Sequence, residues 1–446
     1  MKIVFLTAGA AGMYCGSCMH DNALARALRQ GGSDCILQPL YTPIRTDELS
    51  IAQENVFFGG VNIYLTEKLP LFRHVPRVVK RLFDRPGFLK WATRRAASTD
   101  AAGLGDLTLS MLRGEDGNQK EEVERLVRWL RDEIRPDAII LTNLLIAGSV
   151  PPIRRELPDA RVIAILQGDD AFLDYLPKRY REAAIERMGE LGRMCDWIVV
   201  NSRFYGQRMT QMLSLDPAKV AIEPLTIDGA PFAGLDLTKV GNDAVPKRPQ
   251  RIGYLARIAP EKGLHHLIDA YIDLARRPGC ETIGLDIAGW LGEQNRGYFA
   301  EQMSRLAAAG LADRVRHLGS PGLEGKIAML CGIDVMSVPT EHEEPKGLSV
   351  LEAMAAGVPV VLPAKGAFPE IIEQSGGGLL VPPNDTKALA DALQRLLQDK
   401  ALRDGLSKAG RKWVLEERTI ENQAISIVQL IARKLQPGQP ASVIVA

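Results

Sequence analysis

Glu343-Glu344-Pro345-Lys346-Gly347-Leu348-Ser349-Val350-Leu351-Glu352-Ala353-Met354-Ala355-Ala356-Gly357-Val358-Pro359-Val360-Val361 sets two acids around the start of an otherwise apolar helix. Pro345 and Gly347 suit a turn entering a helix, Gly357 suits its end, and Val358 to Leu362 reads as a buried strand behind it. Glu344 then falls in the entry turn, and Glu352 lies about five residues, roughly 7.5 Å, along the helix. Val350, Leu351, Ala353, Met354 and Ala355 offer Glu352 no charged partner. An ionised carboxylate in such company is costly unless it accepts hydrogen bonds. The expectation is therefore a ligand. Two acids so spaced suit two sugar rings joined by a diphosphate, whose charge a helix N-terminus favours.

The same alternation of helix and apolar run extends through the chain. Lys2 to Leu6, Ala138 to Leu141, Val162 to Leu166 and Trp197 to Val200 alternate with helical stretches such as Asn22 to Gln30 and Lys120 to Ile134. This is the pattern of a parallel α/β sheet. Periodicity fades from Leu225 to Gln250, where Asp228-Gly229-Ala230-Pro231 and Pro246-Lys247-Arg248-Pro249 mark a candidate linker. Alternation restarts at Arg251 to Leu255 and continues through Gly284 to Ala288, Val315 to Leu318, Val335 to Val338 and Pro359 to Leu362. With 446 residues, two domains of roughly 200 residues each are expected. The fold class is α/β, with two facing Rossmann-like domains and a cleft between them. We place the boundaries at 1–228, 229–418 and a last helix, 419–446.

Composition narrows the partners. The formal net charge of +1 argues against a general nucleic-acid binder. The N-terminal apolar run is too short for a signal peptide, and no uninterrupted apolar stretch reaches a membrane span, so a cytoplasmic protein is expected. Between residues 73 and 95, eight Lys and Arg face only Asp84, with Phe72, Leu82, Phe83, Phe88 and Trp91 interleaved. Such a patch suits an anionic membrane surface, at its inner face, and a lipid-linked acceptor; it equally suits an insertion packed on its domain. Among six cysteines only Cys15 and Cys18 are close. One C-x-x-C without a second pair makes neither a zinc site nor a disulfide framework, and a redox role is left open.

Two further segments carry chemistry. In Arg251-Ile252-Gly253-Tyr254-Leu255-Ala256-Arg257-Ile258-Ala259-Pro260-Glu261-Lys262-Gly263, a strand ends at two cations and a helix follows. Ligands of open α/β sheets bind at that edge, so Arg257 and Lys262 are candidates for gripping a diphosphate. The alternative is a solvated loop in which Lys262 pairs with Glu261. Near the N-terminus Gly9, Gly12 and Gly16 precede the first helix and permit close approach of backbone to phosphate, or simply a tight turn.

Taken together, the E-x7-E spacing of Glu344 and Glu352 around Gly347, with Arg257 and Lys262-Gly263 upstream, resembles the retaining nucleotide-sugar glycosyltransferases of the GT-B fold, group 1 or family 4. The resemblance is strongest over Arg251 to Leu393 and looser over Met1 to Ser202. It implies Glu344, Arg257 and Lys262 as catalytic groups. Gly16, Gly347, Leu348, Ser349 and Glu352 would bind the donor, with Glu352 on the ribose hydroxyls. Gly16 would approach the diphosphate from the opposite domain, and the last helix would return to the N-terminal domain. The implied reaction moves a hexosyl or related unit from a nucleotide-sugar such as a UDP-sugar to a glycan, lipid-linked or small-molecule hydroxyl. Polysaccharide or glycoconjugate biosynthesis is the expected setting, and neither cofactor nor metal is required.

Two departures stand out. Gln167 replaces a frequent family histidine, and glutamine cannot titrate as a base; Gln167, Asp169 and Asp170 are the acceptor-side candidates, unless the two aspartates open a helix. Lys346 replaces a frequent aromatic, and reads either as an exposed loop lysine or as a contact to a negatively charged donor. Other classes stay open at this point: an epimerase or phosphorylase on the same fold, or a silent nucleotide-sugar-binding scaffold. Base, sugar, acceptor and oligomeric state leave no mark in the residues.

Overall fold

The computed structural model describes residues 1–9, 16–44, 46, 49–53, 56–58, 101–235 and 248–433, with backbone alone for 101–103. The basic stretch 73–95, Cys15 and Gly12 lie outside these residues. The chain forms two compact units, Met1–Pro224 joined by the segment from Glu421 onward, and Leu225–Ile420.

The first unit holds a six-stranded parallel sheet of β1 (Lys2–Thr7), β2 (Asp34–Pro39), β3 (Ala138–Leu141), β4 (Arg161–Leu166), β5 (Trp197–Val200) and β6 (Val220–Ile222), ordered β2-β1-β3-β4-β5-β6. Every residue of β3 and β5 is buried. That is why these strands read as continuous apolar runs: helices cover both faces of a parallel sheet. The helix over Lys120–Trp129 ends in a wide turn, Leu130–Ile134, closed by Arg135 at φ 54°. Helix Ile420–Ala432 brings Ser426 and Gln423 into this unit, where the Ser426 hydroxyl donates to Glu223 at 2.7 Å and Gln423 Oε1 meets His20 Nε2 at 2.8 Å.

The second unit repeats the plan with β7 (Arg251–Leu255), β8 (Gly284–Ala288), β9 (Val315–His317), β10 (Val335–Ser337), β11 (Val360–Pro363) and β12 (Gly378–Val381), ordered β12-β11-β10-β7-β8-β9. The chain winds outward from β7 in one direction, then returns to place β10 against its other side, with Val335 opposite Ile252. The loops after β7 and β10 therefore leave the carboxyl edge side by side, at the point where strand order reverses. Ligand crevices of open α/β sheets form there.

The segment read as a linker is only partly one. Leu225, Ile227 and Phe232 are buried in the second unit's core, and Ile227 bridges to Thr419. The Pro, Gly and Asp residues among them hid that apolar spacing. Residues 236–247 lie outside those described.

Candidate functional site

At the reversal point Lys262 and Glu344 meet. Lys262 closes the turn Pro260–Lys262 behind β7, and Gly263 follows at φ 72°. A Cβ on Gly263 would lie 1.8 Å from the Pro339 carbonyl oxygen, so glycine lets the two loops touch backbone to backbone. The Glu341 N–H and the Thr340 hydroxyl both donate to the Glu261 carbonyl, at 3.0 and 2.8 Å. The result is a 2.7 Å pair between Lys262 Nζ and Glu344 Oε2, with side chains only 17% and 12% exposed.

Gly347, at φ 78°, starts helix Leu348–Ala355, and its N–H donates to Glu344 Oε1 at 3.3 Å. Burial alone would raise the Glu344 carboxyl, but the Lys262 ammonium, with the Gly347 amide, outweighs it and holds the group at about 2. His342 Nε2 lies 3.4 Å from Lys262 Nζ, and burial, aided by that ammonium, lowers the imidazole's pKa. An ammonium has three donors. The site is thus a part-buried cation beside a helix N-terminus, where the loops after β7 and β10 meet.

Other expected residues fall differently. Glu352 does have a charged partner: Lys326 Nζ, from helix Leu323–Gly332, sits 2.5 Å from Glu352 Oε1, and both are buried. The local pattern around Glu352 gave no sign of it because Lys326 arrives from another helix. A ligand is therefore not needed to explain a buried acid at 352. Arg257, not Lys262, pairs with Glu261, at 2.5 Å, and the arginine side chain is 44% exposed. Lys346 is buried, which overturns its reading as an exposed loop lysine. Leu348 and Ser349 form the helix's first turn.

In the first unit, Gly16 opens helix Gly16–Gln30 behind β1. Gln167 Nε2 donates to Asp21 Oδ1 at 2.8 Å. The buried Asp169 carboxylate accepts the Leu144 and Gln167 N–H groups at 2.8 and 3.0 Å, and desolvation raises it to about 6. Asp170 takes Tyr205 OH at 3.0 Å and Arg208 Nε at 2.7 Å. Both aspartates therefore hold protein groups at the carboxyl edge of β4, as the opening residues of helix Asp169–Leu173.

A cavity of about 500 Å³ at the carboxyl ends of β8 and β9 went unassigned in the sequence. Trp290, Leu291, Arg296, Phe299, His317 and Gly319 line it, and the His317 and Phe299 rings lie 4.5 Å apart. The signal available was Gly289-Trp290 directly after β8 and Gly319 two residues past β9. Cys35 and Cys195 are buried thiols pushed up to about 12 by desolvation, which makes them inert.

Two parallel Rossmann-like sheets of this connectivity define an α/β two-domain fold of the GT-B glycosyltransferase kind. Among solved structures it resembles the sucrose-phosphate synthase of Thermosynechococcus elongatus, with a TM-score of 0.69 at 19% identity over 97% of this chain and 98% of that one. Anabaena HepE, solved with UDP and glucose, superposes with a TM-score of 0.67 at 17% identity, over 97% and 100%. Residues 239–413, which lie in the second unit, match the family model of glycosyl transferases group 1. A phosphatidyl-myo-inositol mannosyltransferase of Mycobacterium leprae is 32% identical over 229 residues, 47% of this chain and 58% of that protein. A 2-deoxystreptamine glucosyltransferase of Streptomyces kanamyceticus is 32% identical over 173 residues, 39% and 43%. The chain thus spans about half the length of the curated relatives it matches. Among the described residues no helix is long and apolar enough to cross a membrane.

Proposed function

We propose that the protein is a retaining glycosyltransferase that moves a sugar from a nucleoside-diphosphate donor to a hydroxyl acceptor. The observation that carries this reading is the part-buried Lys262–Glu344 pair at the reversal point of a domain that matches the group 1 model. Glu344 accepts one Lys262 donor and fixes the ammonium's position, with His342 Nε2 3.4 Å from the same nitrogen; the donor left over is directed at a diphosphate oxygen. The adjacent N-terminus of helix Leu348–Ala355 adds backbone N–H groups of Leu348 and Ser349. Arg257 exchanges its partner Glu261 for phosphate, since a largely solvated pair of this kind is weak. Glu352 takes the ribose hydroxyls, and the cavity beside Trp290 and Phe299 takes the base.

In the reaction the C1–O bond to the diphosphate breaks, its electron pair passes to the leaving phosphate, and Lys262 stabilises the charge that builds there. The acceptor hydroxyl attacks C1 from the same face and gives its proton to the departing diphosphate. No metal is needed for this step. A UDP-sugar is the donor favoured here, since HepE holds UDP and glucose on the same fold. A lipid-linked or other glycoconjugate acceptor is favoured by the phosphatidyl-myo-inositol mannosyltransferase relative and by the basic stretch 73–95, which suits an inner membrane surface. Gln167, Asp169, Asp170 and Gly16 remain the first unit's candidates for substrate contact.

A thermal-shift screen against UDP, GDP, ADP and their sugars tests the donor site, because a ligand of the native state raises Tm by mass action. A selective shift from one nucleotide, undiminished by chelator, is expected. No shift from any nucleotide would overturn the proposal.

A further inference from the structure

A second cluster lies next to the Lys262–Glu344 pair without being part of it. His265 and His266 stand in the first turn of helix Leu264–Leu274, and Glu341 stands in the loop after β10. His265 Nε2 and His266 Nε2 are each 3.1 Å from Glu341 Oε1. Ligating atoms of all three residues lie within 4.8 Å of one another. In a tetrahedral site with bonds of about 2.0–2.2 Å, neighbouring ligand atoms are spaced roughly 3.3–3.5 Å apart. Two of the three spacings thus need to change by only a few tenths of an ångström.

The surroundings support these side chains as ligands. The Tyr298 hydroxyl is 2.9 Å from His265 Nδ1 and accepts the His265 backbone N–H at 3.1 Å, so the ring is held with Nε2 toward Glu341. An outer partner on the second nitrogen is the usual companion of a metal-bound imidazole. Glu341 is fixed through its N–H to the Glu261 carbonyl. Its side chain is 44% exposed and the histidines are 23% and 17% exposed, so an ion can enter from solvent.

We propose that His265, His266 and Glu341 form a binding site for a divalent transition-metal ion of the zinc class, with a fourth position open to water. Two imidazoles and one carboxylate suit zinc, cobalt or nickel, whereas magnesium and calcium take oxygen ligands. The site has a structural consequence. His265 follows Lys262 by three residues and Glu341 precedes Glu344 by three. A bound ion therefore ties the turn behind β7 to the loop behind β10, as a link added to the Glu341 and Thr340 hydrogen bonds to the Glu261 carbonyl that already set the register of Lys262 and Glu344, and it touches neither of those two. This inference does not rest on glycosyl transfer, and it is tested with no nucleotide present.

The chelator-stripped full chain is titrated with Zn²⁺ by calorimetry, and with Co²⁺ followed by visible absorption. One ion per chain, an intense tetrahedral Co²⁺ band and a Zn²⁺-dependent rise in Tm are expected, with no comparable response to Mg²⁺. His265→Gln/His266→Gln, whose amides preserve polar contacts, should abolish the band, and Glu341→Gln should weaken binding at least tenfold. Absence of a one-to-one Co²⁺ band in the wild type overturns the proposal, whatever the variants do. So does unchanged Zn²⁺ affinity in a double variant whose circular dichroism is native.

Discussion

Lys262 Nζ lies 2.7 Å from Glu344 Oε2 across 82 residues of sequence, because β10 returns to pair with β7. Removing the ammonium by Lys262→Met leaves a part-buried carboxylate without its cation and a leaving phosphate without its counter-charge. Turnover should fall about 10²–10³-fold, with a much smaller change in nucleotide Kd. Equal losses in kcat and in binding would refute the charge-stabilising role.

The same pair sets a pH dependence. The Glu344 carboxyl is held at about 2 against an ordinary 4.5. A depressed carboxylate contributes stability that is complete above about pH 4.5 and is lost as pH falls toward 2, by up to about 3 kcal/mol. Urea unfolding between pH 6 and pH 3 should show this decline in wild type. Glu344→Gln should show a flatter profile over that range.

Glu352 and Lys326 separate structure from ligand binding. Either Glu352→Gln or Lys326→Met alone strands a buried charge and should cost about 3–5 kcal/mol. The double variant should recover most of that stability. If Glu352 also holds a ribose, the double variant stays weak in nucleotide binding after its Tm returns. Recovery of both by the double variant would leave Glu352 a purely structural group.

Gly263 is the close contact that brings the two loops together. Gly263→Ala places a Cβ 1.8 Å from the Pro339 carbonyl oxygen at φ 72°. It should destabilise by about 2–4 kcal/mol and lower turnover as Lys262 shifts. Gly310 has the same φ of 72° with nothing within 4 Å, so Gly310→Ala should cost only about 1 kcal/mol. Chemical denaturation of the two variants checks the contrast.

The sheets were legible where strands are buried on both sides, as Ala138–Leu141 and Trp197–Val200 are, because nothing polar interrupts them. The edge strands Asp34–Pro39, Val220–Ile222 and Gly378–Val381 were not read as strands: Val220–Ile222 has three residues, Gly378–Val381 starts in a run of glycines and is partly exposed, and Asp34–Pro39, though mostly buried, is broken in sequence by Asp34, Gln38 and Pro39. At the site, Lys262, Glu344 and Gly347 could be singled out because cation, acid and glycine sat beside strand ends. Their pairing could not, since it depends on which strands are neighbours. Lys326 beside Glu352 and Glu261 beside Arg257 illustrate the same limit at long and short range. The cluster of His265, His266 and Glu341 was invisible for that reason too.

Glu223, at the end of β6, is buried with the Ser426 hydroxyl 2.7 Å away, and desolvation raises its carboxyl from 4.5 to about 7. A raised acid binds more protons in the folded chain than in the unfolded one between those two values. Its contribution to stability is therefore present below about pH 4.5 and is lost as pH rises through 7, the opposite sign to Glu344. Glu223→Gln removes the buried charge while keeping a carbonyl oxygen to accept from Ser426. It should raise stability at pH 8 by on the order of 2 kcal/mol and leave it nearly unchanged at pH 4.5. Thermal unfolding of both proteins at the two pH values decides it: an equal shift at both would mean that packing, and not ionisation, governs Glu223.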